Sequence, residues 1–175
     1  MIVKFKIGVF LIGLLLSSCG KNQLELYRGE VYFQFEYINH AWGFNHSGFY
    51  ITPSGQVFTY DKSTPWIFAV TNHIQRSDLL SNIGASTKRD TLINLKVLAH
   101  YQSLAFMAKD GKMSELLMRG ADMGATLCKA IVSEPSVSPN EFREVILSQQ
   151  GDTETHNLTS EAVLITNWLN SLHFP

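Results

Sequence analysis

Residues 39–48 form the densest group of side chains that could do chemistry in this chain. Two histidines, two asparagines and two large aromatic rings fall within these ten positions. Large aromatic side chains supply much of the energy at binding interfaces. The segment therefore predicts a binding surface for a small ligand or a partner protein, made by His40, Trp42, Phe44 and His46. In the structural alternative, the two aromatic rings fold back and cover the end of a sheet.

The two histidines could instead bind a metal ion, because a neutral imidazole is a common metal ligand. Zinc requires three or four ligands at defined spacings, so Glu36 or Asp61 would have to complete the set around His40 and His46. No His-x-x-x-His or Cys-x-x-Cys pattern is present, and the other histidines are scattered singly along the chain. We therefore predict no metal and no cofactor.

Catalysis by one of these histidines is a further possibility. His40 or His46 could act as the base of a hydrolase, with Asp61 or Cys128 as its partner. The motifs Gly-x-Ser-x-Gly and His-Glu-x-x-His are absent. Cys128 lies in an apolar stretch that is typical of a strand, where a thiol behaves as a small buried hydrophobe. We assign no catalytic residue, and a hydrolase remains the alternative to non-catalytic binding.

The elements that must position these residues begin with residues 30–38. This stretch alternates with the period of two that is typical of a half-buried strand. Two more strands are predicted at residues 48–52 and 56–60, because Pro53, Ser54 and Gly55 form a turn between them. We expect an antiparallel meander that holds the loop at residues 39–47 between its first two strands.

Helices and a second hairpin follow the meander. Pro65 and Trp66 predict a loop packed on the sheet. We expect a short helix at residues 77–83 capped by Ser77, the longest helix at residues 91–107, and another short helix at residues 112–119. In the longest helix, the pattern predicts a buried face that includes Leu92 and Leu95.

The last part of the chain predicts two strands and a helix. The strands are expected at residues 126–132 and 141–149. A final helix capped by Thr159 has an apolar face made by Ala162, Ile165, Leu169 and Leu172. The order of elements predicts an α+β fold. We expect a mostly antiparallel sheet, built from the N-terminal three-strand meander and the later hairpin, with helices on one face and a C-terminal docking helix.

The N-terminus has the three parts of a secretory signal. Lys4 and Lys6 precede an apolar run, which ends in Leu16-Ser17-Ser18-Cys19. The run has ten to twelve apolar residues, too few for the roughly 20 that a membrane-spanning helix needs. The segment resembles the lipobox of bacterial lipoproteins, in which the cysteine is acylated and becomes the first residue of the mature protein.

This resemblance implies a division of the chain and a location. Residues 1–18 would be the lipoprotein signal peptide, residues 19–26 the acylated cysteine and a short tether, and residues 27–175 a single α+β domain. Palmitate on Cys19 would anchor the protein in the bacterial cell envelope, in the outer membrane if the cell is Gram-negative. The lipid bilayer would then be one partner.

Charge and cysteine content narrow the possible functions. Removal of residues 1–18 would leave 12 basic against 15 acidic side chains, and no Lys/Arg-rich run is present. Nucleic-acid binding requires such a basic footprint, so we exclude it. With Cys19 acylated, Cys128 would be the only thiol and no intrachain disulfide could form. We expect a non-catalytic binding or interaction module, with an envelope protein or a small ligand as partner.

Overall fold

The computed structural model describes residues 29–41, 43–61, 65–135 and 138–174. The predicted signal peptide, Cys19, the tether and Trp42 lie outside these residues. The described part of the chain forms, in sequence order, the elements β1 (Val31–Asn39), β2 (Asn45–Ile51), β3 (Gln56–Asp61), β4 (His73–Gln75), α1 (Arg76–Gly84), β5 (Thr87–Leu92), α2 (Leu95–Ala108), β6 (Leu117–Met118), β7 (Ala125–Ser133), β8 (Glu141–Gly151), β9 (Thr153–His156) and α3 (Ser160–Ser171).

All of these strands join in one antiparallel sheet. Its order is β5-β3-β2-β1-β7-β8-β9-β6, and the short strand β4 pairs with the beginning of β8. The predicted α+β class and the mostly antiparallel sheet are confirmed. Both predicted hairpins, β2–β3 and β7–β8, are present as adjacent strands.

The loop that was predicted to be a binding surface lies between β1 and β2, directly before the β2–β3 hairpin. Gly55 occupies the turn with a φ of 82°, a conformation that glycine adopts without strain. Strand β2 begins at Asn45, three residues earlier than predicted. The loop between β1 and β2 is therefore residues 40–44, and His46 lies in a strand.

Strand β1 lies in the middle of the sheet and buries side chains on both faces. We call the side of Val31, Phe33 and Phe35 the front face, and the side of Tyr32, Gln34 and Glu36 the back face. Val31 and Phe33 are fully buried in front, and the three back-face residues are buried behind. The prediction of a half-buried strand was wrong, because helices or loops cover both sides of β1.

Helices α2 and α3 pack together on the front face, whereas α1 packs on the back face. Leu98, Ala105 and Ala108 of α2 and Ile165 and Leu169 of α3 belong to the front core. The Trp168 ring of α3 stacks on Tyr101 of α2 at 4.0 Å. Leu79 and Ile83 of α1 join Tyr32 in the back core. Only two of the three helices therefore share a face.

The C-terminal helix has the predicted cap and the predicted buried side. Thr159 Oγ1 accepts a hydrogen bond from the Ala162 backbone N–H at 3.2 Å. Ala162, Ile165 and Leu169 are fully buried, and Leu172 packs against the same core. The predicted docking helix is confirmed.

The middle of the chain differs from the prediction. Residues 87–92 form the edge strand β5, so α2 starts only at Leu95, where Asn94 caps it. Leu92 and Leu95 are exposed rather than buried. At residues 91 and 92, pairing with β3 outweighs the helical periodicity of the sequence. The prediction missed this because contacts between strands are not visible in local sequence.

Two smaller predictions were also wrong. Residues 112–119 are not helical, because Leu117 and Met118 form a short strand that pairs with β9. Helix α1 begins at Arg76, and no side-chain hydrogen bond caps it, so Ser77 is not its cap.

No helix among the described residues is long and apolar enough to cross a bilayer.

Candidate functional site

The loop of residues 40–44 lies at one end of the sheet. The Asn39 side-chain oxygen accepts a hydrogen bond from the Ala41 backbone N–H at 2.8 Å, and Gly43 adopts a φ of 97°. The Asn39 amide nitrogen donates to the Asp122 carbonyl at 3.3 Å, and the Tyr37 hydroxyl donates to the Met123 carbonyl at 3.2 Å. The loop is therefore held beside the connection that leads into β7.

The predicted binding residues that the structure describes form a row of rings. Neighbouring ring centroids lie 5.1 Å apart for His40 and Phe44, and 5.8 Å apart for Phe44 and His46. The row continues to Phe68 at 5.4 Å and to Trp66 at 4.4 Å from His46. It runs from the exposed His40 to the fully buried His46. The structure thus brings His40, Phe44 and His46 together, while Trp42 lies outside the described residues.

His46 belongs to a buried ionic cluster on the back face. Its Nε2 lies 3.1 Å from Glu36 Oε1, and Lys129 Nζ lies 2.6 Å from Glu36 Oε2. The same ammonium lies 3.3 Å from Glu144 Oε2. The four side chains of the cluster come from four strands: His46 from β2, and the other three from β1, β7 and β8. Because buried ions are costly unless paired, these contacts fix the four side chains against one another.

The pKa values within the cluster report how its members stabilise each other. Burial raises the pKa of Glu36, but the hydrogen bond from His46 and the charge of Lys129 outweigh burial and lower it overall. Burial lowers the pKa of Lys129, but the charges of Glu36 and Glu144 outweigh burial and raise it overall. Both groups are therefore ionised at neutral pH.

Two buried tyrosines and Trp66 complete the surroundings of His46. The Gln34 side-chain amide donates to the Tyr60 hydroxyl at 2.8 Å. Trp66 lies nearly parallel to Tyr50, with centroids 5.8 Å apart, as the predicted packing of its loop on the sheet requires. Burial, followed by the nearby charge of Glu36, raises the pKa of both tyrosines well above the ordinary value. The tyrosines therefore stay neutral and uncharged beside the ionic cluster.

The structure separates the residues that a hydrolase would have to combine. Ser47 pairs with Asp61, and Phe35 pairs with Cys128, which places Asp61 and Cys128 on the front face. His46 lies on the back face, so neither residue can reach its ring. Cys128 is buried, and burial raises the pKa of its thiol. The suggested partnership of His46 with Asp61 or Cys128 was wrong.

The cluster also lacks the composition of a metal site. Glu36 and His46 are adjacent, but the ammonium of Lys129 contacts the second oxygen of Glu36. Across residues 29–41, 43–61, 65–135 and 138–174, no three His, Cys, Asp or Glu side chains are grouped so as to hold a metal ion.

Exposed apolar side chains surround this end of β1. Phe44 is 41 % exposed, Phe68 44 % and Met123 51 %. We call His40, Phe44, Phe68 and Met123 the distal surface. Phe68 and Met123 were not identified from the sequence, because both are far from residues 40–44 along the chain. Phe68 reaches this end of the sheet by contacting His46 of β2, and Met123 does so through the connection before β7. The one available signal was Trp66, whose packing on the sheet carries Phe68 to His46.

Comparison of the chain with known protein families, curated proteins and solved structures finds no significant match.

Proposed function

We propose that this protein is an acylated lipoprotein of the bacterial cell envelope that binds another envelope protein through its distal surface and catalyses no reaction. The observation that carries the proposal is the position of the distal surface at the end of β1 opposite to Gly29. Gly29 is the first described residue, and Cys19 precedes it by ten positions in the sequence.

The two ends of β1 are well separated. At the Gly29 end, the Glu30 backbone N–H donates to Ser133 Oγ at 2.6 Å. The ten steps along the chain from Gly29 to Asn39 rise about 3.3 Å each, which puts the distal surface about 30 Å away. Residues 19–28 span at most about 35 Å. With Gly29 directed towards the bilayer, the distal surface points away from it and remains open to a protein partner.

The composition of the distal surface suits a protein partner. Phe44, Phe68 and Met123 offer exposed apolar contact area, and the imidazole of His40 lies 5.1 Å from the Phe44 ring. Residues of this kind fill pockets at protein interfaces. The rings of Phe44 and Phe68 rest on His46, which the ionic cluster holds in place. A surface that is already ordered loses little conformational entropy on binding.

A hydrolase receives less support from these observations. His46 is fully buried with its Nε2 on Glu36, so it is not available to a substrate. His40 is exposed, but its ring contacts Phe44 and no carboxylate among the described residues. A base of this kind would lack the orienting group that catalytic histidines use.

Cross-linking in cells, followed by purification of the lipidated protein in detergent, tests the proposal. We expect one stoichiometric protein partner for the wild type and a reduced yield of it for Phe44→Ala, Met123→Ala and Trp42→Ala. The melting temperature of the Phe44 and Met123 variants should stay near that of the wild type, because both side chains are largely exposed.

Leu80→Ala provides the matched control. Leu80 is an apolar residue of α1 that is 49 % exposed and lies outside the distal surface, so its removal should not change the yield of the partner. Equal partner yields from Phe44→Ala and Leu80→Ala would contradict the proposal. A large fall in the melting temperature of Phe44→Ala would show that the Phe44 ring stabilises the fold rather than binding a partner.

A further inference from the structure

A second feature lies on the opposite side of the sheet from the His46 cluster. A groove of about 810 Å³ runs over β2, β3 and β5 on the front face and is bounded by the segment that follows α3. Its volume falls within the range of about 300–1,000 Å³ that is usual for small-molecule sites. It shares neither Phe44 nor Met123 with the distal surface.

One side of the groove is aromatic. Phe35 of β1 stacks on Phe49 of β2 with centroids 5.4 Å apart and ring planes at 6°. Phe174 meets Phe49 edge to face at 4.8 Å. These rings form an apolar floor that suits the side chain of a hydrophobic or aromatic amino acid.

The other side of the groove is polar. Thr59 of β3 lies opposite Thr87 of β5, and both residues line the groove. Neither hydroxyl makes a hydrogen bond to another described residue. Hydroxyls can both donate and accept, so this side can bind the N–H and C=O groups of a peptide backbone.

Two opposite charges stand at the ends of the polar side. Asp61 and Arg89 line the groove, and neither forms an ion pair within the described part of the chain. Asp61 lies two residues beyond Thr59 on β3, and Arg89 lies two residues beyond Thr87 on the antiparallel β5. The two residues therefore lie on opposite sides of the Thr59–Thr87 pair, about 13 Å apart at the usual rise of a strand, and the register of β5 against β3 shifts just beyond Lys88.

We infer that this groove binds a short peptide with free termini. The amino terminus pairs with Asp61, the carboxylate pairs with Arg89, and an apolar side chain rests on Phe35, Phe49 and Phe174. An extended tripeptide spans about 10 Å, and the two charged side chains bridge the remaining distance. The charge pattern favours a peptide over a fatty acid, which offers no cation for Asp61.

Calorimetric titration of the full chain in an uncharged detergent tests this inference, with Ala-Phe-Ala as the probe and protein-free micelles as the blank. We expect saturable binding of the free tripeptide and about fivefold weaker binding of its N-acetylated and its C-amidated forms. A loss of this size is that of one partly exposed ion pair. Ala-Ser-Ala should bind more weakly, because it lacks the ring that contacts Phe49.

Variants of Arg89 and Asp61 test which peptide terminus each side chain binds. Arg89→Gln should weaken binding of the free tripeptide about fivefold and leave binding of its C-amide unchanged. Asp61→Asn should also weaken binding of the free tripeptide about fivefold, but should leave binding of the N-acetylated form unchanged. Lys88→Gln is the matched control, because Lys88 is the neighbouring cation on β5 and points to the back face. It should bind like the wild type.

Four results would overturn the inference. Three are no saturable binding at millimolar peptide, equal binding of free and blocked peptides, and a loss in Lys88→Gln as large as in Arg89→Gln. The fourth is full retention of affinity on N-acetylation alone, which would identify a general anion site rather than a peptide site. None of these results depends on the distal surface.

Discussion

Lys129 is a buried cation that joins strands distant in sequence. Its ammonium lies between Glu36 of β1 and Glu144 of β8, and its own strand runs between them. Removal of a buried partner leaves an uncompensated charge, which costs more than the pair contributes. The cluster is therefore a point at which a single substitution should strongly affect the fold.

Lys129→Met tests this expectation at the residue scale. Methionine preserves most of the side-chain volume but removes the ammonium that contacts both the buried Glu36 and the largely buried Glu144. We expect the free energy of unfolding, measured by urea denaturation, to fall by about 3–5 kcal/mol.

Lys88→Met is the control for this substitution, because the Lys88 side chain is exposed and the change should stay within about 0.5 kcal/mol. Similar losses in both variants would show that the buried cluster contributes nothing specific to stability.

The two shifted pKa values predict how stability depends on pH. The pKa of Glu36 is lowered by folding, so its contribution is present above the ordinary value of about 4.3 and is lost as pH falls below it. The pKa of Lys129 is raised, so its contribution is present below about 10.4 and is lost as pH rises above it. We expect a plateau near neutral pH in a series of urea denaturations.

Glu36→Gln identifies the acid limb of this profile. Because glutamine does not titrate, the fall in stability below about pH 4 should become shallower in the variant. An unchanged acid limb would assign the pH dependence to other carboxyl groups.

At the scale of elements, β2 depends on the absence of a side chain at Gly48. A Cβ at this position would lie 2.0 Å from the Phe35 carbonyl oxygen of β1 and 2.7 Å from the Tyr60 hydroxyl of β3. The space lets the Tyr60 hydroxyl reach across β2 to the Gln34 amide. A glycine in the middle of a strand is therefore explained by close packing between three neighbouring strands.

Gly48→Ala should destabilise the protein by about 2–3 kcal/mol, because the backbone of β1 would have to move. The measurement is again urea denaturation. Gly84→Ala is the matched control at the end of α1, where a Cβ would meet no atom within 4 Å. It should be neutral or slightly stabilising, since alanine favours the helix over glycine. A neutral result for Gly48→Ala would mean that β1 and β2 separate easily.

At the scale of the whole molecule, the proposed anchor and the two candidate binding surfaces belong to different parts of the chain. The groove is on the front face, the distal surface is at the end of β1, and Cys19 precedes the described domain. If these parts are independent, loss of the anchor should change location without changing binding.

Cys19→Ser should yield an uncleaved precursor or a mislocalised protein without an acyl label, measured by palmitate labelling and cell fractionation. Its melting temperature and its affinity for Ala-Phe-Ala should equal those of the wild type. Cys128→Ser is the control, because it removes the other thiol and should keep the label. Full labelling of the Cys19 variant would refute acylation at this position.

Local sequence was sufficient to predict the β2–β3 hairpin, the β7–β8 hairpin and the capped helix α3. Each of these depends on a short-range cause: the turn at residues 53–55, apolar runs of strand length, or the Thr159 cap. The histidine and aromatic residues of the loop were also identified as a group, since they are neighbours in the chain.

Tertiary structure decided which of those residues are accessible and which act together. The alternation of strands puts His46 on the opposite face from Asp61 and Cys128, and strand order brings Glu36, Lys129 and Glu144 into contact. Likewise, residues 87–92 and 117–118 become strands through pairing with β3 and β9. These outcomes depend on register between segments that are far apart in the chain, which local periodicity does not encode.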